Sequence, residues 1–575
     1  MTDRPDRPVP EESDTADRAP WDPGRASLAS AGTADAPSSR VVVLPRWARL
    51  PMSAGAGWAA TALATLLASV LRLVGLDRVG ALVFDETYYV KDAYSLWHLG
   101  YEGTWADDWD ARFASGDFSG LSSKGAYIVH PQTGKWLIGL GMRVFGWDDP
   151  VGWRISAALA GIIGVLLLCR IAWNLFRSPA ITLMAGMFLA TDGMHLVMSR
   201  TGLLDVFLAT FVEAGVLAVV KDQQQAHPAL VGKMARWQPS TPPGGRTGLG
   251  PHSGPRWWLL AAGVLLGLAC SVKWSGIYAL AVLGLFVALR EWTTRRRLGH
   301  PRPFRAAMLL DVPVAFLAMV PTAVVVYIAS WWGWMVHPDA WAHGRSGASG
   351  GSASGPLAVA SDLWSYHLEM WRFHNGLHTP HNYQSQPWGW LLQLRPTSFW
   401  YERVDGACGG TAECVQNVVA LGNPLMWWLA VPALLLTVWG ALRFRDWRCG
   451  LVLCGYLSMY VPWFAYSHRT IFTFYTVAVA PFVALSLAWA LGVCLDQARL
   501  GASPDRISRA DGSDFDEGDH RWLGPSITLR RTLGVAALVA VIAVLASSAY
   551  FYPVWTGPRI PYDEWLSRMW LQSWI

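Results

Sequence analysis

ATALATLLASVLRLVGLDRVGALVFDETYY, residues 60–89, sets the plan of the whole chain. Its first part belongs to an apolar run, 57–76, of the ~20 residues that cross a bilayer core as a helix, with one charge, Arg72, near the end. Its last part carries two adjacent carboxylates, Asp85 and Glu86, between Phe84 and the pair Tyr88 and Tyr89. A membrane span followed closely by an acidic pair among aromatics is the pattern against which the remaining sequence is read.

The composition agrees with a membrane setting. The 575 residues are 53% hydrophobic and only 15% charged, and 35 of them are Trp. Soluble domains carry about 25% charged residues, and Trp favours the membrane–water boundary. Seven Cys with no Cys-x-x-Cys pair exclude a zinc module or a disulfide scaffold. Neither a Walker A sequence nor a Gly-rich dinucleotide fingerprint is present, which argues against a nucleotide-driven enzyme. No nucleic-acid partner is expected.

Eleven segments have the length and apolarity of spans: 57–76, 151–170, 180–198, 203–220, 257–272, 274–290, 311–333, 424–442, 449–466, 470–492 and 532–552. The 257–290 region is read as two spans meeting at Lys273, because one helix of that length would overshoot the bilayer. With eleven spans, the Arg clusters at 40–49, 170–177, 295–305, 443–448 and 530–531 all fall on one side, the cytoplasmic one. The expected protein is therefore all-α and polytopic, with its N-terminus inside and its C-terminus outside. Residues 1–50 are polar and read as a disordered cytoplasmic tail. A cleavable signal would begin apolar near Met1, so the first span is expected to be an uncleaved anchor. Residues 51–552 form the transmembrane domain, and 553–575 an outer tail. Two long outer loops, 77–150 and 334–423, are rich in aromatic and polar residues; the second opens with a flexible stretch at 344–356. Segments 222–255 and 499–526 read as cytoplasmic linkers.

An acidic pair at a helix start is ordinarily a cap. On the outer face, beside a span and among aromatics, it is a candidate for proton transfer. Neighbouring residues on a helix point about 100° apart, so one carboxylate faces a given atom and the other is free to orient it. Four cations, Arg72, Arg200, Lys273 and Arg469, sit at the outer boundary, against the inside bias of the rest. Cations at headgroup level suit a phosphate carried on a lipid, although Arg72 could equally snorkel to the interface and Asp205 could pair with its neighbour Arg200. Tyr89, His130, Lys135, Asp205, His381, Tyr383, Gln386, Trp388 and Arg395 are candidates for holding a sugar or an extended peptide. Gly376 and Pro380 argue against a regular helix through His374 and His378, and without a His-Glu-x-x-His pattern no metal is expected. Cys408 and Cys414 lie in the second outer loop, an oxidising location that suits a local disulfide.

FDETYYVKDAYS (84–95), HPQTGKWLI (130–138), SRTGLLDVFL (199–208), SVKWSG (271–276), HNYQSQPWGW (381–390) and RTIFTFYTVAVAPF (469–482), with Arg72 thirteen residues before Asp85, occur in consistent order across most of 57–552. In this combination the chain resembles the protein O-mannosyltransferase family, in its actinobacterial form without the large outer-loop insertion of eukaryotic members. The resemblance implies a GT-C glycosyltransferase fold. It implies transfer of mannose, with inversion, from polyprenyl phosphate mannose to Ser or Thr hydroxyls of secreted proteins, outside the plasma membrane and possibly near the secretion translocon. It makes Asp85 the base, Glu86 its essential neighbour, and Arg72 and Arg200 donor-site arginines; no cofactor is called for. The rival readings are a GT-C enzyme acting on a glycolipid or polysaccharide, and a lipid or solute transporter.

Overall fold

The computed structural model describes residues 53–237, 246–345, 355–408, 411–495 and 527–575. The expected tail 1–50, most of the 344–356 stretch and the linker 499–526 lie outside these residues. In chain order the first helices are α1 (Ala54–Leu73), α2 (Glu86–Leu99), α3 (Asp110–Ala114), α4 (Thr133–Phe145), α5 (Pro150–Phe176), α6 (Pro179–Thr191), α7 (Gly193–Met198) and α8 (Asp205–Ala235). Then come α9 (Trp257–Val272), α10 (Gly276–Arg297), α11 (Pro303–Ala329, with a π turn at its start), α12 (Trp332–Val336) and α13 (Pro356–Gly376). The last are α14 (Pro424–Arg443), α15 (Trp447–Met459), α16 (Ala480–Cys494), α17 (Ile527–Thr556) and α18 (Tyr562–Ser567).

Several of these helices start where a capping side chain precedes proline, whose missing N–H would be an orphan donor there in any case. Asp149 accepts from the Val151 N–H ahead of α5, Ser178 from Ile181 ahead of α6, and Asn423 from Met426 ahead of α14. Among the described residues, seven helical stretches are long and apolar enough to cross a membrane: α1, α5, α10, α11, α14, α17 and Trp447–Tyr466. The shorter α6, α9 and α16 are also apolar. With α8, every expected segment contains a helix. The chain does break at Lys273, which is extended (φ −146°, ψ 144°) between α9 and α10. Part of the expected linker 222–255 is helix, because α8 continues to Ala235.

The end of α1 is held by a side chain. Its last carbonyls lack partners within the helix, and the Arg200 guanidinium donates to the carbonyls of Leu71, Arg72, Val74 and Gly75 at 2.5–3.0 Å. Asp192 performs a second junction. One of its oxygens caps α7 by accepting from His195 N–H at 3.1 Å. The other accepts from the Asn423 N–H at 2.8 Å and the Trp427 indole at 2.9 Å. Asn423 in turn donates to Val544 O and Ser548 Oγ of α17. A single buried carboxylate thus joins the amino-terminal helices to α14 and α17.

Two small sheets supplement the helices, which the sequence reading did not include. β1 (Gly103–Trp105) pairs antiparallel with β2 (Leu121–Gly125) in the first long loop, 77–150. In the second, β3 (Thr397–Cys408) and β4 (Thr411–Ala420) form a hairpin whose far side takes β5 (Arg559–Pro561). Residues 553–575 are therefore not a free tail. They add a strand to the loop sheet, Trp565 is buried with its indole on Asn417 of β4, and Trp574 is buried with its indole on the Gln393 carbonyl. A disulfide joins Cys408 and Cys414 in the hairpin.

Replacing Asp192 with Ala leaves three buried N–H groups without an acceptor, each costing about 1–3 kcal/mol. Asp192→Ala is expected to lower thermal stability by about 3 kcal/mol or more, read as the unfolding midpoint of detergent-purified protein.

Candidate active site

The chain between α1 and α2 is fixed by one buried ion pair. Glu86 is fully buried, and its two oxygens accept from Arg154 Nε and Nη2, both at 2.8 Å. The same oxygens accept from the Val83 and Gly202 N–H groups at 2.9 and 2.7 Å. Arg154, on α5, spends its other hydrogens on the carbonyls of Leu76, Val79 and Ala81. Glu86, expected beside the chemistry as the neighbour of Asp85, has both oxygens taken up by these four hydrogen bonds. Arg154 is the partner that sequence reasoning missed. The signal was present, since Arg154 is a charge inside the expected span 151–170, where charge is expensive.

Asp85 differs in every respect. It sits at the N-cap of α2 without a side-chain cap bond, and among the described residues nothing hydrogen-bonds to its carboxylate. It is only partly exposed. Burial pushes its pKa up to about 6; Lys273 works against the rise and Asp205 adds to it. The preceding residue, Phe84, has φ +49°, a conformation bulky side chains seldom adopt. Its ring stacks on Phe399 of β3 at 4.7 Å and meets Phe472 and Phe474 edge-on. Aromatic packing and the Glu86 pair together hold this strained turn, and with it the direction of Asp85.

Of the four expected phosphate cations, the structure brings two toward Asp85. Lys273 Nζ pairs with Asp205 at 2.7 Å and lies 5.3 Å from the Tyr475 ring centre. Arg469 approaches His374 Nδ1 at 3.5 Å, and its Nε is buried without a partner. Arg72 and Arg200 are held by other partners. Arg72 is wholly buried, with its terminal nitrogens on the carbonyls of Ala68, Leu189 and Ala190 and on His195 Nδ1. Arg200 caps α1. Carbonyls near helix ends engage both guanidiniums, and the sequence shows the charges but not those ends.

His130 and His374 stack at 5.1 Å, with Tyr89 6.2 Å from His130. His374 lies in the last turn of α13, which ends at Gly376, and His378 lies beyond it, so no regular helix runs through both, as expected. Its Nε2–H donates to Val129 O at 2.6 Å, so Nδ1 is an acceptor facing Arg469. Burial holds His374 at about 4 and His130 well below the usual histidine value, so both are neutral at pH 7. Burial raises the Tyr89 hydroxyl well above its ordinary value, leaving it a neutral donor. Lys135, expected at the substrate, sits in a buried ion-pair network. It is 1% exposed and bonded to Glu102 at 2.7 Å and Asp92 at 3.2 Å. Burial opposes its charge, but the two carboxylates outweigh that and raise its pKa.

The 381–395 segment runs beside this cluster. His381 meets Phe472 edge-on at 5.0 Å and Phe84 at 6.2 Å. Tyr383 donates its N–H to His381 Nδ1. Gln386, exposed Trp388 and Arg395 line an open cleft of about 260 Å³ with Gln384 and Ser385. Gln386 also donates to Ser467 O, and Arg395 reaches Asn382 O and the carbonyls of Ser573 and Ile575. The arrangement is an unbonded carboxylate beside Lys273, with the cleft-lining 381–395 segment joined to the same turn through the Phe84–His381 ring contact.

Comparison with known proteins gives a consistent picture. The family model for dolichyl-phosphate-mannose-protein mannosyltransferase matches residues 62–235 and 252–333. That for the C-terminal four-span region of protein-O-mannosyltransferase matches 359–574. A polyprenol-phosphate-mannose–protein mannosyltransferase of Mycolicibacterium smegmatis is 33% identical over 546 residues, covering 91% of this chain and 94% of its own. The protein of that name from Mycobacterium tuberculosis is 34% identical over 543 residues, covering 91% and 93%. The solved Pmt1–Pmt2 protein O-mannosyltransferase complex of Saccharomyces cerevisiae, bound to the sugar donor, has the same fold, with a TM-score of 0.60. It is 14% identical, with 90% of this chain and 92% of that chain covered.

Glu86→Gln leaves the Arg154 charge buried without its counterion, a change that costs about 3–5 kcal/mol. Its unfolding midpoint is expected to fall by several degrees, whereas Asp85→Asn, which breaks no hydrogen bond, is expected to change stability by less than about 1 kcal/mol. Thermal unfolding of the two variants side by side checks the division of roles.

Proposed function

The chain belongs to the protein O-mannosyltransferase family and has its GT-C membrane fold, and from that we propose that it transfers mannose from polyprenyl phosphate mannose to Ser or Thr hydroxyls of extended, secreted acceptor chains. We place the reaction at the outer face of the plasma membrane. The observation that carries the reading is the contrast within one dipeptide: Glu86 is saturated, while Asp85 keeps a free carboxylate beside Lys273.

The chemistry follows from those residues. A hydroxyl is a weak nucleophile until a base takes its proton as the new bond forms. Asp85 takes that proton from the acceptor oxygen as it attacks the anomeric carbon. The C–O bond to the lipid phosphate breaks on the opposite face, so the configuration inverts and no sugar–enzyme bond is made. Negative charge grows on the departing phosphate, and Lys273 and Arg469 are the cations available to stabilise it. Asp205 orients the Lys273 ammonium. Neutral Tyr89 and His130 supply hydrogen bonds near the sugar. The cleft at Gln386, Trp388 and Arg395 offers an aromatic face and amides to an extended peptide.

Asp85→Asn is expected to lower transfer by about 10²–10⁴-fold while donor binding persists, measured in proteoliposomes with labelled lipid-linked mannose and an acceptor peptide. An undiminished rate would refute the assignment, and glycolipid mannosylated in place of peptide would reassign the acceptor. The base works only when ionised, so kcat/KM is expected to fall tenfold per pH unit below about 6. Lys273 favours the carboxylate and Asp205 opposes it. Lys273→Ala should therefore move that acid limb to higher pH, and Asp205→Asn to lower pH, in pH–rate profiles of the variants.

A further inference from the structure

Behind the site, three ionisable side chains meet inside the bundle with hydrogen-bonding capacity left over. Arg72 and His195 are fully buried and Glu213 is 1% exposed. Arg72 Nε, His195 Nε2 and both carboxyl oxygens of Glu213 have no partner. Arg72 Nη2 contacts His195 Nδ1 at 2.7 Å. An arginine only donates, so this Nδ1 accepts, and the histidine proton is on Nε2. Two unpartnered donors, Arg72 Nε–H and His195 Nε2–H, therefore share an interior with two unpartnered acceptors.

They share it across two glycines one turn apart on α5. A methyl group on Gly164 would stand 3.2 Å from Glu213 Oε1 and 3.4 Å from His195 Nε2; one on Gly161 would stand 3.0 Å from Arg72 Nε. The side chains thus converge on the glycine face, and apart from the Arg72 Nη2–His195 Nδ1 bond their polar atoms there have no partner. A ligand here must accept from the donors and donate to the carboxylate. A metal ion cannot accept a hydrogen bond and is repelled by Arg72, and a halide cannot donate to Glu213. A water molecule does both, and buried waters typically make about three such bonds to otherwise unpartnered groups. We propose that Arg72, His195 and Glu213 form an internal water site against Gly164, linking α1, α5, α7 and α8 beneath the turn that carries Asp85. The site is separate from the transfer chemistry and does not depend on it.

Magic-angle-spinning spectra of the full chain in lipid, with 15N-labelled histidine, test this directly. A His195→Gln sample assigns the resonances. The expected result is an Nε2-protonated His195 that receives magnetisation from water and loses that transfer in Gly164→Ala, whose methyl occupies the gap. Absence of water transfer to His195 in the parent protein, an Nδ1-protonated ring, or transfer undiminished in Gly164→Ala would each overturn the proposal. Glu213→Gln, which keeps size but not charge, serves as the second variant if Gly164→Ala does not fold. It is expected to weaken the transfer, and an unchanged signal in it counts against the site.

Discussion

A guanidinium and a carboxylate withdrawn from water together determine where the outer half of this protein sits. Bringing Arg154 and Glu86 into the interior is costly, and their attraction offsets that cost only if every remaining hydrogen and lone pair is also satisfied. Here the satisfying groups are the backbone of 76–83 and of Gly202. The pair therefore cannot form unless the loop after α1, the start of α2, α5 and the turn before α8 adopt one arrangement. Asp85 gains its direction from its neighbour's constraints. It needs none of its own, and its carboxylate stays unbonded.

The sequence made the helices legible for local reasons. Capping residues ahead of proline at 149–150, 178–179 and 423–424 announce their helices, and apolar length does the rest. The break at Lys273 was legible from length alone. The β3–β4 hairpin and the return of residues 559–561 were not, because a strand added from the far end of the chain depends on a neighbour that no local pattern names. Gly376 and Pro380 argue against a helix through both His374 and His378, and α13 ends at Gly376, between the two.

The site was legible in part, and the division follows charge. Asp85, Lys273 and Arg469 stand out in sequence and end together in space. Arg72, Arg200 and Lys135 stand out equally and end elsewhere, held by helix-end carbonyls or by Asp92 and Glu102. A cation at the outer boundary has several ways to be satisfied, and sequence records the charge without the partner. Arg154 shows the converse: a residue 68 positions from Glu86 whose importance appears only when the two meet.

Asp192 has a bearing on biosynthesis. Its carboxylate accepts from Asn423 and Trp427, which lie 231 and 235 residues later. At roughly 5–20 residues per second, the ribosome needs on the order of 10–50 s to deliver them. Through that interval the nascent amino-terminal helices hold a carboxylate whose final donors have not been made. The chain therefore completes its interior late in translation, and a polypeptide stopped before α14 leaves the ribosome with the Asp192 carboxylate short of two of its three donors.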